Sequence, residues 1–557
     1  MAESALTPDL AGERADLAGP LLTVVVPVYN QAGTIVDNLR TIRERVEAGV
    51  GKGVELIVVS DGSVDASGER LLEDPSHRAR VIHYDRNLGK GFAIKAGALA
   101  AQGRWISYVD ADLDLDPASL PEFLALAERE SLDFVIGSKR HPDSRVQYPR
   151  RRRVGSWLYQ QLVRVLFSLD VRDTQVGLKL FRREVAEEVL PLLLVKQFAF
   201  DLEFLAVARA LGYRRIREQP VKLEYQFAGS GVRSPAVALA LVDTAAIFYR
   251  LRILRYYQRK RPLLGEYART QGHGPQVTLV SPNEPKQLDY PSLDVVALDA
   301  QTPEARRRVA EQAESELIAF LEPGAVPARN WLETAVAFLA NDEIAAVVAP
   351  SMTPTQGDVR ERAAAAVAES RLGGGSHHFR FTPGNLRFVR QFPTGNVIVK
   401  RSDLLALDEE SLHPHRLAAA LTDRGRKVLY TPETVVVISL PPLFRPHLSR
   451  VLAAGRARGE AIRQLGLRGV TPASVPPVAL LVFLLLGWPL LLAGGAWAAT
   501  WVVLWAAYGA AVVGTGLMAA LRFQSLAVGA LTIVGVACAH LSYAVGLLAA
   551  LVRRARP

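Results

Sequence analysis

Between Arg468 and Arg522 the chain runs for 53 residues without an Asp, Glu, Lys or Arg, and a further 30 residues, 523–552, are again free of them. Water-soluble domains rarely tolerate such a stretch. At ~20 residues per crossing of a ~30 Å hydrocarbon layer, the tail has room for three membrane helices. We place them at 474–493, 496–520 and 524–551, with Gly494 and Gly495 linking the first two and Trp488, Trp497, Trp501 and Trp505 as interfacial anchors. The first 20 residues carry Glu3, Asp9, Glu13 and Asp16 and lack an apolar centre, so they read as a flexible N-terminus and not as a signal peptide. Arg450, Arg456, Arg458, Arg463 and Arg468 precede the first span and mark a cytosolic flank, but three crossings would put Arg553, Arg554 and Arg556 on the opposite side, against the same rule. The expected location is a membrane, a bacterial inner membrane by preference, with the bulk of the chain in the cytosol.

Only one cysteine, Cys538, is present, which excludes a disulfide-stapled secreted module and a Cys-rich zinc site. The net charge of +10 points to an anionic partner, whether nucleic acid, phosphate groups or a membrane surface, and composition alone does not choose between them.

From Leu22 onward, short β-rich apolar runs (22–28, 54–59, 80–84, 105–109) alternate with helical patterns (35–46, 66–72, 91–101). That alternation predicts an α/β fold with a mostly parallel sheet between helices. Ligands of such sheets bind beyond the carboxyl ends of the strands. There the chain places Val28-Tyr29-Asn30, Ser60-Asp61-Gly62-Ser63 and Asp110-Ala111-Asp112. Asp110, Asp112 and Asp114 alternate after a strand, and grouped carboxylates suit a hard divalent cation that completes its shell with substrate phosphates. The competing reading is a helix cap, in which Asp112, Asp114 or Asp116 starts the helix near Pro117. Asn87-Leu88-Gly89-Lys90-Gly91 precedes a helix, where glycines allow close backbone approach and Lys90 supplies charge suited to a diphosphate. Asp61 has the acceptor character to meet the imide N–H of a uracil or the equivalent edge of a guanine.

These segments, with Val26-Pro27-Val28-Tyr29-Asn30, resemble in order and spacing the family 2 glycosyltransferases of GT-A fold. Further on, 172–181 (Arg-Asp-Thr-Gln-Val-Gly-Leu-Lys-Leu-Phe), Phe200-Asp201-Leu202-Glu203 and Gly229-Ser230-Gly231-Val232-Arg233 are similar to the dolichyl- or polyprenyl-phosphate glucosyl- and mannosyltransferase branch. The likeness covers about 22–261. It departs where Ser60 and Val176-Gly177-Leu178 stand in place of the more common Asp and Cys-Gly-Phe. The resemblance implies a nucleotide-sugar donor, UDP-glucose ahead of GDP-mannose, held by Pro27, Tyr29, Asp61, Lys90, Asp110 and Asp112. It implies Mg²⁺ or Mn²⁺ at Asp110, Asp112 and Asp114, and a polyprenyl phosphate acceptor at Arg152, Ser156 and Arg233. Asp112, Asp201 and Gln175 become the catalytic candidates. An acidic start also stabilises any helix, so Asp201 and Glu203 carry a purely structural alternative. The expected partners are therefore a nucleotide sugar, a lipid phosphate and membrane lipids, and not a nucleic acid.

Residues 235–257 are apolar on one side and end in Arg250, Arg252 and Arg255, the pattern of a helix lying in a leaflet or packing on the first domain. From Gln276 a second α/β pattern begins, similar to another family 2 domain, but Glu316 to Asn330 lacks the aspartates, and His413-Pro414-His415-Arg416 stands where a Glu-Asp pair is expected. Two loop histidines alone are a poor metal site. The expected organisation is a catalytic domain at 21–233, an interfacial helix and basic linker at 234–273, a degenerate transferase-like domain at 274–440, a basic helix at 441–473 and membrane helices at 474–557. The expected activity is inverting transfer of a hexose to polyprenyl phosphate. A processive polysaccharide synthase lacks support, since no Gln-x-x-Arg-Trp element precedes the tail. A noncatalytic membrane scaffold is opposed by intact Asp61, Asp110 and Asp112.

Overall fold

The computed structural model describes residues 19–51, 53–84, 87–144, 150–195, 199–222, 234–264, 274–283, 288, 290–354, 356–465 and 475–552. Most of the expected N-terminal segment lies outside them. The chain divides into two units, 1–267 and 268–557.

In the first unit the β-branched runs form seven strands: β1 Leu22–Val28, β2 Val54–Asp61, β3 Arg80–Tyr84, β4 Trp105–Val109, β5 Phe134–Ser138, β6 Leu178–Arg182 and β7 Ile216–Pro220. They lie in the order β3-β2-β1-β4-β6-β5-β7. β1, β2, β3 and β4 are mutually parallel, whereas β6 runs against both β4 and β5. β1 and β4 are buried along both faces, as a central strand sandwiched by helices requires. Helices Ile35–Val50 and Leu120–Arg129 each bury one apolar stripe (Ile35, Leu39, Ile42 and Val46; Leu120, Phe123, Leu124 and Ala127) in the core below the sheet.

The second unit contains another seven-stranded sheet. Its strands are β8 Val277–Ser281, β9 Leu293–Ala297, β10 Leu317–Phe320, β12 Ile344–Val348, β14 Arg387–Phe388, β15 Val397–Lys400 and β16 Lys427–Tyr430, while β11 Val326–Pro327, β13 Ser351–Met352 and β17 Val436–Val437 make a small separate sheet. The order β9-β8-β10-β15-β12-β16 repeats β2-β1-β4-β6-β5-β7 strand for strand. The repeat extends to direction: β15, like β6, is antiparallel to both of its neighbours. The second α/β pattern is thus a topological copy of six strands of the first, without a counterpart of β3 and with β14 added at the opposite edge.

The tail differs from the expected three spans. Among the described residues, two helices, Gly495–Phe523 and Leu526–Val552, are long and apolar enough to cross a membrane. The stretch expected to form the first span is instead split into Val475–Leu486 and Leu490–Ala493. Gly487 and Pro489 lie at the break, and a 12-residue helix reaches only ~18 Å, short of a ~30 Å layer. Two of the expected interfacial tryptophans meet this break. The indole N–H groups of Trp501 and Trp505 both donate to the Leu484 carbonyl, at 3.2 and 3.0 Å, near the broken end. Trp488 and Trp497 remain exposed.

Helix Val359–Glu369 joins the second α/β domain to these helices. Its run of alanines, Ala363 to Ala366, gives a thin buried face that packs with Val528, Val536 and Ala539. At its end the Glu369 carboxylate accepts two hydrogen bonds from Arg522, both 2.7 Å, and one from the Thr353 hydroxyl. Glu369 is 4% exposed at its side chain, so this bidentate pair is largely withdrawn from water. Arg522→Ala is therefore expected to lower the stability of the detergent-solubilised protein by ~3 kcal/mol. Thermal unfolding checks this; a loss under ~1 kcal/mol, the range of a solvated pair, would refute it.

Candidate active site

Because β1, β2 and β4 are parallel and β6 is antiparallel, three carboxyl ends and one amino end meet at a single edge of the first sheet. The loop after β1 places exposed Tyr29 there, with Pro27 half-buried behind it. Asn30 adopts a left-handed φ of 55° and is tied to the loop after β2 in both directions: its N–H donates to Ser63 Oγ (3.2 Å), and its Oδ1 accepts from Val64 N–H (2.9 Å).

Asp61 ends β2 and is 3% exposed. Its two oxygens accept the backbone N–H groups of Leu88 (2.7 Å) and Gly89 (2.9 Å). Burial raises its carboxyl above the usual range, and those two hydrogen bonds oppose the rise. Asp61 thus anchors the glycine loop that carries Lys90. The Lys90 ammonium pairs with Asp110, and although burial acts to lower it, the fields of Asp110, Asp201 and Asp112 hold it above the usual lysine range.

Asp110, Asp112 and Asp114 follow β4 as expected. The capping alternative falls to their neighbour: Asp116 caps Pro117–Ser119, accepting from Ala118 N–H at 3.0 Å, and also receives Arg45 at 3.0 Å. Burial and the Asp110 charge raise the carboxyl of Asp112, and burial and the Asp112 charge raise that of Asp114. Carboxylates that repel one another in this way fit a divalent cation. Among the described residues, however, no group of three or more His, Cys, Asp or Glu side chains is arranged to hold a metal ion unaided. The donor set suits a cation that takes two or so protein oxygens and the rest from phosphates.

The opposite wall is backbone. β4 and β6 pair with Val109 opposite Leu178, which brings Gly177 against Asp110. A Cβ at position 177 would lie 2.1 Å from Asp110 Oδ2, so a larger residue there would displace the Asp110 carboxylate. Gln175, exposed on the same loop, has its N–H fixed by Asp173 at 3.2 Å, and Asp173 also accepts from Lys139 N–H.

Asp201 and Glu203 stand in the first turn of Phe200–Leu211 but act in different places. Asp201 Oδ1 accepts from Lys179 Nζ (2.5 Å) and from the Tyr108 hydroxyl. Lys179 is wholly buried and also donates to the Val176 carbonyl at 2.6 Å, so this network braces the 175–177 loop from beneath. Glu203, also fully buried, accepts from Leu194 and Val195 N–H (2.9 and 2.7 Å), from Tyr257, and from Arg250 at 3.2 Å. It fastens the segment after helix Ser234–Phe248 to the first unit. The bracing by Tyr108, Lys179, Arg250 and Tyr257 is not foreseen by the sequence reading. A lysine inside the buried run 178–181 was the available signal, because such a charge must find a partner.

The arginine-rich stretch starts helix Arg150–Phe167. The side chains of Arg152 and Ser156 lie outside the described residues, as does Arg233. On the described part of that helix, Tyr159 bonds Thr244 (2.9 Å) and Phe167 meets Phe248 edge-on. Val165 and Val242 are left 78% and 65% exposed, beside exposed Leu162, Leu241, Tyr249 and Ile253.

Residues 23–190 match the model of glycosyl transferase family 2. The chain is 35% identical over 214 residues to the glycosyltransferase AglD of Haloferax volcanii (38% of this chain, 34% of that one). It is 29% identical over 218 residues to a dolichyl-phosphate β-glucosyltransferase of Dictyostelium discoideum (37% of this chain, 67% of that one). It therefore spans about a third of the first relative's length and two thirds of the second's. A solved glucosyl-3-phosphoglycerate synthase from Mycobacterium tuberculosis aligns with 42% of this chain and 78% of its own, at 20% identity and a TM-score of 0.32. The likeness to family 2 glycosyltransferases thus falls within the first unit and its seven-stranded sheet.

The Lys179–Asp201 pair yields a stability test. Asp201→Ala leaves a buried ammonium without its counter-ion and is expected to cost ~3–5 kcal/mol, while Lys179→Met combined with Asp201→Leu recovers most of that loss. Denaturant unfolding of the full chain checks both. Asp201→Ala with unchanged stability would instead favour a direct role in chemistry.

Proposed function

We propose that this family 2 domain transfers a hexose, with glucose preferred, from a nucleotide diphosphate sugar to the phosphate of a polyprenyl phosphate, with inversion at C1. The observation that carries the reading is the convergence of Asp110, Asp112 and Lys90 at one sheet edge, walled by Gly177 and anchored by Asp61. The kinship with a dolichyl-phosphate glucosyltransferase supports the choice of acceptor and sugar.

In this reading Asp110 and Asp112, with Asp114 beside them, hold Mg²⁺ or Mn²⁺, which supplies positive charge to the departing diphosphate. Lys90 adds a fixed cation at the same place. Asp61 orders the loop bearing Lys90, and Pro27 and Tyr29 flank the base. An acceptor phosphate oxygen attacks the sugar C1, the C1–O bond to the diphosphate breaks, and the nucleoside diphosphate leaves. A phosphate monoester with its second pKa near ~6 is already largely ionised at neutral pH, so little base assistance is needed. Catalysis then rests on positioning and charge neutralisation, with Gln175 reaching the reacting groups from a braced loop and Asp201 holding that brace. Arg152, Ser156 and Arg233 receive the lipid phosphate.

Exposed Val165 and Val242, on two helices that also carry exposed Leu162 and Leu241, suit a leaflet surface. Two crossings by the tail, in place of three, return the chain to its starting side. Under the positive-inside rule Arg450, Arg456, Arg458 and Arg463 mark that side as the cytosolic one.

Radiolabelled transfer by the detergent-solubilised full chain, with Mg²⁺ and short-chain polyprenyl phosphate, is expected to move glucose from UDP-glucose into the organic phase. Chelation by EDTA is expected to abolish it, and Asp112→Ala to lower it by ~10²–10³-fold. Transfer from GDP-mannose alone would reassign the sugar, and none from either donor would reject the acceptor. Val165→Asp with Val242→Asp, both at the surface, is expected to raise KM for the lipid several-fold and leave KM for the donor unchanged. Steady-state kinetics on lipid vesicles reads both.

A further inference from the structure

The second unit repeats the site's architecture and replaces its chemistry. Glu322 lies two residues beyond β10 and Gly395 two before β15, one step further from the sheet than Asp110 and Gly177, which adjoin β4 and β6 directly. A Cβ on Gly395 would lie 1.7 Å from Glu322 Oε1, the same close approach seen between positions 177 and 110. Around this single acid stand cations in place of further carboxylates. Arg306 is buried and bonded to the carbonyls of Ala300 (2.9 Å) and Thr394 (2.5 Å), while Arg380 and Arg450 lie within the field of Glu322.

Beside this cluster is a cavity of about 2060 Å³, larger than the ~300–1,000 Å³ of a typical small-molecule site. Six arginines line it against three acids, Glu322, Asp408 and Asp423. His447 also lines it, and among the described residues its buried Nε2 has no hydrogen-bond partner. The cavity continues along apolar side chains of the tail, including Leu480, Leu481, Leu484 and Tyr543. Leu480 is 40% exposed on a helix too short to cross a membrane.

We propose that this cavity binds a long-chain lipid phosphate without a metal, its anionic head among Arg380, Arg450 and His447 and its hydrocarbon chain against the helix Val475–Leu486. A surplus of guanidinium groups around the cavity, with Arg380 and Arg458 half-buried, calls for an anion, and Arg pairs with phosphate through two parallel hydrogen bonds. A soluble phosphate would satisfy the head cluster and leave the leucine wall wet, whereas a lipid phosphate covers both. The inference rests on the second unit alone and stands or falls independently of the transfer reaction.

The test is photolabelling of the full chain in nanodiscs with a diazirine-bearing polyprenyl phosphate, followed by peptide mapping. Label is expected on peptides from 445–465 and 475–486, competed by unlabelled polyprenyl phosphate but not by the matching polyprenol or by inorganic phosphate. Arg380→Gln with Arg450→Gln is expected to reduce that label about tenfold, the effect of losing a charge-assisted hydrogen bond. Ala454→Phe, a substitution at an exposed lining residue that spares the core, is expected to reduce it likewise. Absence of label on these peptides, equal competition by polyprenol or inorganic phosphate, or label unchanged in both variants would each overturn the proposal. Asp112→Ala should lower hexose transfer by ~10²–10³-fold and leave this labelling intact, which separates failure here from failure of the first site.

Discussion

A strand that runs against its neighbours brings its amino end to the edge where theirs present carboxyl ends. β6 does this between β4 and β5, and its register sets Gly177 directly against Asp110. The rest of the site depends on that pairing. The loop before β6 supplies a backbone wall, Lys179 on the strand reaches beneath it to Asp201, and Asp201 in turn fixes Tyr108 on β4. One register thus couples the acidic edge to the buried ion pair below it. A one-residue slip would turn Lys179 to the other face of the sheet and break both.

Buried charge is used in the first unit as fastening. Lys179–Asp201 secures a loop to the sheet, and Glu203 with Arg250 and Tyr257 secures the segment following Ser234–Phe248 to helix Phe200–Leu211. Such pairs add little net stability over apolar packing, but they penalise every arrangement that leaves one member unpaired. That penalty suits a site whose parts come from six separate stretches of chain.

What the sequence makes legible is local. The strands that end at Val28, Asp61 and Val109 follow from runs of β-branched residues bounded by polar turns, and the alternation of Asp110, Asp112 and Asp114 is visible without any fold. The repeat in the second half is legible from its order of elements, and the topology bears it out. The partners of Asp201 and Glu203 are not legible, because Tyr108 and Tyr257 lie 93 and 54 residues away. The capping role of Asp116 is hidden among four alternating aspartates that composition treats alike. In the tail, hydropathy counts apolar residues but not the interruption by Gly487 and Pro489, so a broken helix reads as a third span. Trp501 and Trp505 look like interfacial residues until the Leu484 carbonyl at the break claims their N–H groups.

The pair between Arg522 and Glu369 acts as a depth stop. Arg522 lies in the last turn of a 29-residue apolar helix, and Glu369 ends a helix of the second α/β domain. In the proposed membrane placement, a guanidinium and a carboxylate joined in this way favour a level outside the hydrocarbon, so the pair would fix how far the helix sinks. Lengthening or shortening 495–521 by a turn would shift the apolar part by ~5 Å relative to that stop. The bilayer would then have to thin, thicken or tilt the helix to match, and the helix would serve as a gauge of membrane thickness.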